Sequence, residues 1–218
     1  MDNYKSQYAD IRFERAGLFK AILETYHPRD ALYPGCSVHI TPSLYFPHVV
    51  YVDQSEAAAQ FFADEKSLLE FIQRNKHYKA SAYIRFIAQD YSQPLPLMEG
   101  KFDLLLSLFA AGIAKACTQY LKIGGLLLTN NHQGDALDAV KDGNLKLKAI
   151  VQFQKGSYSI VEEGLSERKT PAQKLNNKYL RQASQGAEYI ENETYYVFER
   201  LRSQSASGPP WHRPPGQV

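Results

Sequence analysis

The stretch Ala31-Leu-Tyr-Pro-Gly-Cys-Ser-Val-His39, followed by His48-Val-Val-Tyr-Val-Asp53, decides the fold of this chain. It predicts a strand, a glycine turn, a short helix and a second strand that ends in an acid. Gly35 permits a sharp turn beneath a ligand, and the amides that open the next helix point towards that ligand. Asp53 stands eighteen positions (53 − 35) after Gly35, which suits hydrogen bonds to ribose hydroxyls. Together the two segments predict a site for a nucleotide-type cofactor.

Three later segments continue the pattern. The first, Ala82 to Asp90, is an apolar strand that ends in Gln-Asp and is followed by Pro94-Leu-Pro-Leu97. The second, Phe102-Asp-Leu-Leu-Leu-Ser-Leu-Phe109, has the composition of a fully buried strand. In the third, Tyr120-Leu-Lys-Ile-Gly-Gly125 is predicted as a helix end and turn that enters the strand Leu126 to His132.

Taken in order, these segments resemble the class I S-adenosylmethionine-dependent methyltransferases over residues 31–132. The matching features are the glycine motif, the acid after strand two, "Gln-Asp…Leu-Pro" after strand three, "Phe-Asp-Leu-Leu-Leu-Ser" as strand four and "Leu-Lys-Ile-Gly-Gly-Leu-Leu-Leu" entering strand five. The resemblance implies a three-layer, Rossmann-like α/β fold with a mostly parallel, seven-stranded sheet. It also implies S-adenosylmethionine as the cofactor and methyl transfer as the reaction.

The first motif departs from that family at three positions. Tyr33 stands where the family has an acid, and Ser37 and His39 stand where later glycines fall. Without the acid, the methionine ammonium of the cofactor lacks its expected partner, although backbone carbonyls or another side chain could serve. Two interpretations follow, a specialised loop or a loss of cofactor binding.

Open α/β sheets bind ligands outside the carboxyl ends of their strands, which locates the candidate residues. The candidate cofactor-binding residues are Tyr33, Gly35, Cys36, Ser37, Asp53, Gln54, Gln89, Asp90, Tyr91 and Ser107, with Phe109 also in the lining. Among them, Asp90 resembles the residue that meets the adenine amino group, with a turn-capping role as the alternative.

Two residues after strand five are the candidate catalytic groups. Asn131 and His132 could orient or deprotonate an acceptor, because histidine titrates near neutrality. A hydrogen-bonded structural role is the alternative for His132, and the same two interpretations apply to His39.

Composition agrees with one α/β domain. The chain has 218 residues, of which 44% are hydrophobic and 22% charged. Its net charge of +2 implies no long-range attraction to nucleic acid or anionic membrane. The two cysteines, Cys36 and Cys117, have no metal-ligand or redox spacing, so no metal site is predicted. No apolar run has the length or position of a signal peptide or membrane span, and we expect a cytoplasmic protein.

We predict three regions along the chain. Residues 1–30 form an amino-terminal helical cap, in which apolar residues have helix-like spacing from Asn3 to about Tyr26; residues 31–202 form the methyltransferase-like domain; residues 203–218 form a disordered tail. Ser55 is the predicted N-cap of the helix after strand two, and a second helical stretch follows from Lys66 to Lys76. The predicted last two sheet strands are Leu145–Phe153 and Thr194–Leu201, with a short strand near Tyr158 and a basic helix from Pro171 to Arg181 between them.

The sequence thus predicts methyl transfer to a small-molecule or uncharacterised acceptor. Strand four ends Ser107-Leu-Phe-Ala110 rather than in the Asp/Asn-Pro-Pro-aromatic turn of enzymes that methylate the exocyclic amines of bases. One alternative is a non-catalytic nucleoside- or S-adenosyl-binding scaffold. Another is an RNA methyltransferase, which the basic segment Lys169 to Arg181 and the many tyrosines favour. A nicotinamide oxidoreductase fits the strand-three and strand-five motifs poorly. The acceptor and the oligomeric state stay open.

Overall fold

The computed structural model describes residues 1–10, 14–108, 110–154, 156–162 and 194–202. Its strands are β1 (Asp30–Pro34), β2 (His48–Asp53), β3 (Tyr83–Ala88), β4 (Phe102–Ser107), β5 (Leu121–Thr129), β6 (Leu145–Gln154), β7 (Ser157–Val161) and β8 (Thr194–Arg200). Its α-helices are α1 (Asp2–Tyr4), α2 (Ala16–Tyr26), α3 (Glu56–Ala63), α4 (Glu65–Asn75), α5 (Ile113–Cys117) and α6 (Asp135–Lys141). The predicted helix from Pro171, the predicted tail at 203–218 and Phe109 lie outside the described residues.

All described strands belong to one sheet, in the order β3-β2-β1-β4-β5-β8-β6-β7. The pairs from β3 across to β5 are parallel, whereas β8 runs antiparallel to both β5 and β6. The sheet has eight strands, one more than predicted. The additional strand is β7, which forms an antiparallel hairpin with β6 around Tyr158, where the sequence predicted a short strand but did not count it in the sheet.

The central strands are apolar along their whole length because both faces of the sheet are covered. Leu104, Leu105 and Leu106 of β4 are each at most 1% exposed. Leu104 and Leu106 pack into a core with α2, α3 and α4, and Leu105 packs into a second core with α5 and α6. This alternation produces the predicted three layers.

Short sequence patterns correctly predicted α3 and α4, the helices that follow β2. The Ser55 side chain accepts a hydrogen bond from the Ala58 amide at 3.3 Å, so the predicted N-cap of α3 is confirmed. The second helical stretch is α4, which Asp64 caps through the Ser67 amide. Within the described part of the chain, no helix is long and apolar enough to cross a bilayer.

The helical segment predicted from Asn3 to about Tyr26 is interrupted in the structure. A short helix and a π-helical turn (Lys5–Ala9) precede α2, and Arg15 adopts a left-handed conformation with φ of 55° immediately before it. The Arg15 Nε donates to the Tyr195 hydroxyl at 2.8 Å, and the Tyr4 hydroxyl lies 2.9 Å from the Thr41 hydroxyl. These long-range contacts outweigh the local helical periodicity.

The prediction of a helix end and a Gly-Gly turn at Tyr120–Gly125 is correct for the helix end at Tyr120 and wrong for the residues after it. A 3₁₀ turn at Thr118–Tyr120 is followed directly by β5, and the two glycines lie within that strand. The pairing with β4 shifts there from Phe102↔Leu121 to Leu104↔Leu126. Gly124 has φ of 79°, and a Cβ on Gly125 would lie 2.9 Å from the Lys122 carbonyl oxygen. The glycines therefore form a bulge at the amino end of the strand.

Candidate functional site

The carboxyl ends of the five parallel strands form one edge of the sheet. Pro34 pairs with Val52, Asp53 with Ala88, and Ser107 with Thr129, so β1 to β5 end close to the same level. The structure therefore brings the loops that carry the candidate residues to this edge, as expected for an open α/β sheet.

The turn after β1 follows the glycine pattern at its first position only. Gly35 has φ of 64°, and its amide donates to the Val52 carbonyl oxygen at 2.8 Å. A Cβ at Gly35 would lie 2.5 Å from the Ala110 Cβ, so this chain fills the space beside the glycine. Ser37 also has positive φ, 48°, at a position where the family has glycine.

Asp53 fixes this turn from the end of β2. Its Oδ2 accepts the Ser37 amide and its Oδ1 accepts the Ser55 amide, each at 2.8 Å. The carboxylate thereby joins the loop after β1 to the start of α3. A carboxylate has about four acceptor positions, so these two amides leave acceptor capacity on both oxygens. Gln54, the next residue, is exposed.

Tyr33, in the place of the family's acid, is paired with His39 inside the core. Both are almost fully buried, and the Tyr33 hydroxyl lies 3.0 Å from the His39 Nδ1. The His39 Nε2 lies 3.1 Å from the Glu14 carbonyl oxygen, which can only accept; Nε2 therefore carries the proton and Tyr33 donates to Nδ1. Burial, together with the nearby Arg15 charge, lowers the pKa of His39 to about 3. Because it is neutral and enclosed, His39 does not serve as a base.

Aromatic and thiol groups complete the core beneath this turn. The Tyr8 ring stacks on His39, with ring centroids 4.4 Å apart. The Cys36 thiol is buried, and burial raises its pKa well above its usual value. Cys36 thus packs as a small apolar residue at this edge.

The loop after β3 contributes three polar groups. The Asp90 Oδ1 accepts the Ser92 amide at 2.9 Å, which lowers the pKa of the Asp90 carboxyl. The Gln89 side-chain amide donates to the Pro94 carbonyl oxygen at 2.9 Å. The Tyr91 hydroxyl crosses to the loop after β4 and donates to the Ala111 carbonyl oxygen at 2.9 Å. Asp90 caps its own turn and remains half-exposed and ionised.

A buried carboxylate that the sequence did not predict lies against the end of β4. Asp135, the first residue of α6, is fully buried and accepts hydrogen bonds from the Ser107 hydroxyl and, at 2.9 Å, from the Ala114 amide. Burial raises the pKa of Asp135, although these hydrogen bonds oppose the shift. An acid before the apolar pair Ala136 and Ala139 is a recognisable helix-start signal, but its burial depends on residues distant in sequence.

The two candidate catalytic residues occupy different environments. The Asn131 Oδ1 accepts the amides of Ala136 at 2.9 Å and Leu137 at 3.3 Å, so its side chain caps α6. His132 lies half-exposed in a 3₁₀ turn, with its Nε2 3.2 Å from the Gln133 side-chain nitrogen. Of the two residues, Asn131 is buried and His132 is half-exposed.

Two cavities lie away from this edge. One, of about 140 Å³, lies at the amino ends of the strands among Tyr26, Asp103, Lys122 and the Gly124-Gly125 bulge. The other, of about 390 Å³, lies between α4 and the start of β3, beside Leu69 and Ala82. None of the candidate residues lines either cavity.

Comparison of the fold with solved structures identifies several similar proteins. The geranyl diphosphate C-methyltransferase from Streptomyces coelicolor A3(2), solved with Mg²⁺, geranyl diphosphate and S-adenosyl-L-homocysteine, has a TM-score of 0.52 and 13% identity over 84% of this chain and 78% of that one. A possible histamine N-methyltransferase from Thermotoga maritima has a TM-score of 0.51 and 12% identity over 92% of this chain and 95% of that one. The [4+2]-cyclase SpnF has a TM-score of 0.51 and 12% identity, covering 85% and 80%.

Comparisons of sequence add no relative. No protein-family model matches the chain, and no curated protein matches it at a significant level. A cyclase among the similar structures illustrates that this fold supports more than one reaction, so function has to be argued from the site. The strand order, the antiparallel β8 and the similar structures together establish that the chain has the Rossmann-like fold of the class I S-adenosylmethionine-dependent methyltransferases.

Proposed function

We propose that the chain binds S-adenosylmethionine at the carboxyl edge of the sheet and transfers the methyl group to a small-molecule acceptor. One observation carries this proposal: the Asp53 carboxylate is held at the end of β2 by two backbone amides, with acceptor capacity left on both oxygens. A fixed, half-exposed acceptor at this point suits the two adjacent hydroxyls of a ribose.

The residues present fit the nucleoside part of such a cofactor. Asp53 would accept from the ribose hydroxyls, and the half-exposed Asp90 would accept from the adenine amino group. The space beside Gly35 does not accommodate the cofactor in this conformation, because Ala110 fills it. Tyr33 and His39 are neutral, so the amino-acid part of the cofactor would find no carboxylate there.

The chemistry asks little of the chain beyond alignment. The cofactor supplies a methyl group already activated by a sulfonium, so the protein mainly orients an acceptor and excludes water. We assign to His132 the role of a base that takes a proton from the methyl acceptor, because this residue is half-exposed and follows the carboxyl end of β5. Asn131 holds the start of α6 next to it.

Calorimetric titration with S-adenosylhomocysteine tests the proposal. Asp53→Ala should weaken binding roughly thirtyfold or more, since the loss of two hydrogen bonds to a charged acceptor costs about 2–4 kcal/mol. Asp64→Ala is the matched control, because Asp64 also accepts a backbone amide, that of Ser67, at the start of a helix away from this edge. Equal affinity in the wild type and Asp53→Ala, or equal weakening in both variants, would remove Asp53 from the binding site.

A second candidate is a non-catalytic protein that binds a nucleoside or S-adenosyl compound. The Tyr33–His39 pair favours it, because Tyr33, which stands at the position of the family's acid, is buried in the core and hydrogen-bonded to His39. Incubation with methyl-labelled S-adenosylmethionine and fractionated small-molecule extract separates the two candidates. Release of S-adenosylhomocysteine in one fraction supports methyl transfer; binding without release in any fraction supports the second candidate. A parallel incubation with RNA tests the RNA-methyltransferase alternative, whose basic segment lies outside the described residues.

A further inference from the structure

A short segment of the loop after β4 lies directly on the glycine turn. We call Ala110–Gly112 the cover segment. The Ala110 Cβ approaches Gly35 so closely that a Cβ on Gly35 would lie 2.5 Å away, shorter than any acceptable carbon contact. Ala110 therefore occupies the space that a side chain at Gly35 would need. A ligand that approaches the Gly35 backbone has to displace Ala110 first.

Both flanks of the cover segment are tied to one buried carboxylate. Ser107, at the end of β4, donates its hydroxyl hydrogen bond to Asp135, and the Ala114 amide of α5 donates to the other oxygen at 2.9 Å. Asp135 itself is fully buried at the start of α6. The base of the loop is therefore fixed from both sides, and the cover segment lies between these two attachments.

The tip of the cover segment has a different attachment. The Tyr91 hydroxyl donates to the Ala111 carbonyl oxygen at 2.9 Å, and the Tyr91 ring lies 3.6 Å from the place of a Cβ on Gly35. Tyr91 belongs to the loop after β3 and is half-exposed. Gly112, which follows, has φ of 73° and no atom within 4 Å of a Cβ built on it, so the backbone has room to turn there.

We propose that Asp135 and Tyr91 are positioning residues for this site: Asp135 fixes the base of the cover segment, and Tyr91 holds its tip over Gly35. The segment opens when the Tyr91–Ala111 hydrogen bond breaks, while the bonds to Asp135 remain. The identity of the ligand, an S-adenosyl compound, rests on the proposed function; the opening itself does not.

Amide hydrogen exchange without ligand tests the positioning roles. In Tyr91→Phe, exchange of the amides of Gly35 and of residues 110–112 should accelerate roughly 2- to 12-fold, the factor for one net hydrogen bond. Tyr78→Phe is the matched control, because the Tyr78 hydroxyl also donates to a backbone carbonyl, that of Ser43, at 2.8 Å in another part of the molecule. The control should leave exchange at Gly35 and 110–112 unchanged.

Two further variants sharpen the test. Ala110→Gly removes the carbon that meets Gly35 and should accelerate exchange of the Gly35 amide. Asp135→Asn keeps an acceptor for the Ala114 amide but cannot ionise, and it should accelerate exchange at Ala114 before it affects Gly35. Equal exchange in Tyr91→Phe and the wild type at Gly35 and residues 110–112 overturns the proposal.

Titration of the same variants with S-adenosylhomocysteine separates this inference from the proposed function. If opening limits entry, Tyr91→Phe should bind the ligand more tightly by the same factor by which exchange accelerates. Accelerated exchange with no binding to any variant supports the positioning roles and overturns the proposed function. Unchanged exchange with normal binding supports the proposed function and overturns the positioning roles.

Discussion

The loop after β1 and the end of β4 bury polar groups at the same edge of the sheet, but burial shifts their pKa values in opposite directions. Beneath the β1 loop, Tyr33 and His39 form a neutral pair, because burial lowers the pKa of the histidine to about 3. At the end of β4, Asp135 is an acid whose pKa burial raises. The first arrangement is least stable in acid, the second in base. Buried polarity at one edge therefore gives two separable pH responses.

Removal of the neutral pair should have the largest effect. Tyr33→Ala deletes a buried aromatic ring and leaves the His39 Nδ1 without its donor. We expect a loss of about 3–5 kcal/mol in the free energy of unfolding, as for other buried aromatic residues. Tyr33→Phe keeps the ring and should lose only about 1–3 kcal/mol. Urea denaturation measures both, and equal losses in the two variants would contradict the importance of ring packing.

Substitution of Gly35, where the loop after β1 contacts the loop after β4, should have the next largest effect on stability. Gly35→Ala forces a side chain into left-handed backbone, which costs about 1–2 kcal/mol, and against the Ala110 Cβ, which adds about 1–3 kcal/mol of overpacking. The double variant with Ala110→Gly should recover the second part and keep the first. Thermal denaturation of the single and double variants provides the coupling, and its absence would contradict the close contact.

Mild acid should lower the contribution of the neutral Tyr33–His39 pair to the free energy of unfolding. The unfolded-state pKa of His39 is near the ordinary histidine value of 6.5 and the folded-state pKa is about 3, so the unfolded chain takes up the proton first. The contribution is complete above the unfolded pKa and is lost as pH falls towards the folded pKa. At pH 5 the loss is about 2 kcal/mol. In His39→Gln, unfolding measured at pH 7 and 5 should lack this component; an unchanged pH dependence would contradict it.

Asp135 should produce the smallest effect, with the opposite sign. Its raised pKa means that the folded chain holds the proton more tightly than the unfolded chain, so stability declines as pH rises from the unfolded to the folded pKa. Asp135→Asn keeps an acceptor for Ala114 and has no charge to bury. The stability of the wild type relative to this variant should therefore fall across that pH range. A relative stability that rises with pH would show that the hydrogen bonds from Ser107 and Ala114 outweigh burial.

Local sequence patterns predicted much of the architecture and little of the packing at the edge. The bounds of β2 and the Ser55 cap follow from an apolar run and from a capping residue, both readable within a few positions. The contact of Ala110 with Gly35 and the bond of Ser107 to Asp135 join residues far apart in the chain. The candidate residues were assigned from the ends of predicted strands. The hydrogen-bond partners of Tyr33 and Ser107, which are His39 and Asp135, depend on how the loops pack and could not be predicted in this way.

In the proposed site, the hydrogen bonds that Asp53 accepts from two backbone amides would link ligand binding thermodynamically to the order of the loop. A hydroxyl that shares the carboxylate and leaves the Ser37 and Ser55 amides in place adds its interaction in full. A hydroxyl that displaces the Ser37 amide releases the turn after β1, and the net affinity falls by the free energy of that release. By reciprocity, a variant that loosens the turn should discriminate less between the two kinds of ligand. In the proposed site, selectivity between ligands would therefore depend on how firmly one carboxylate holds its own backbone.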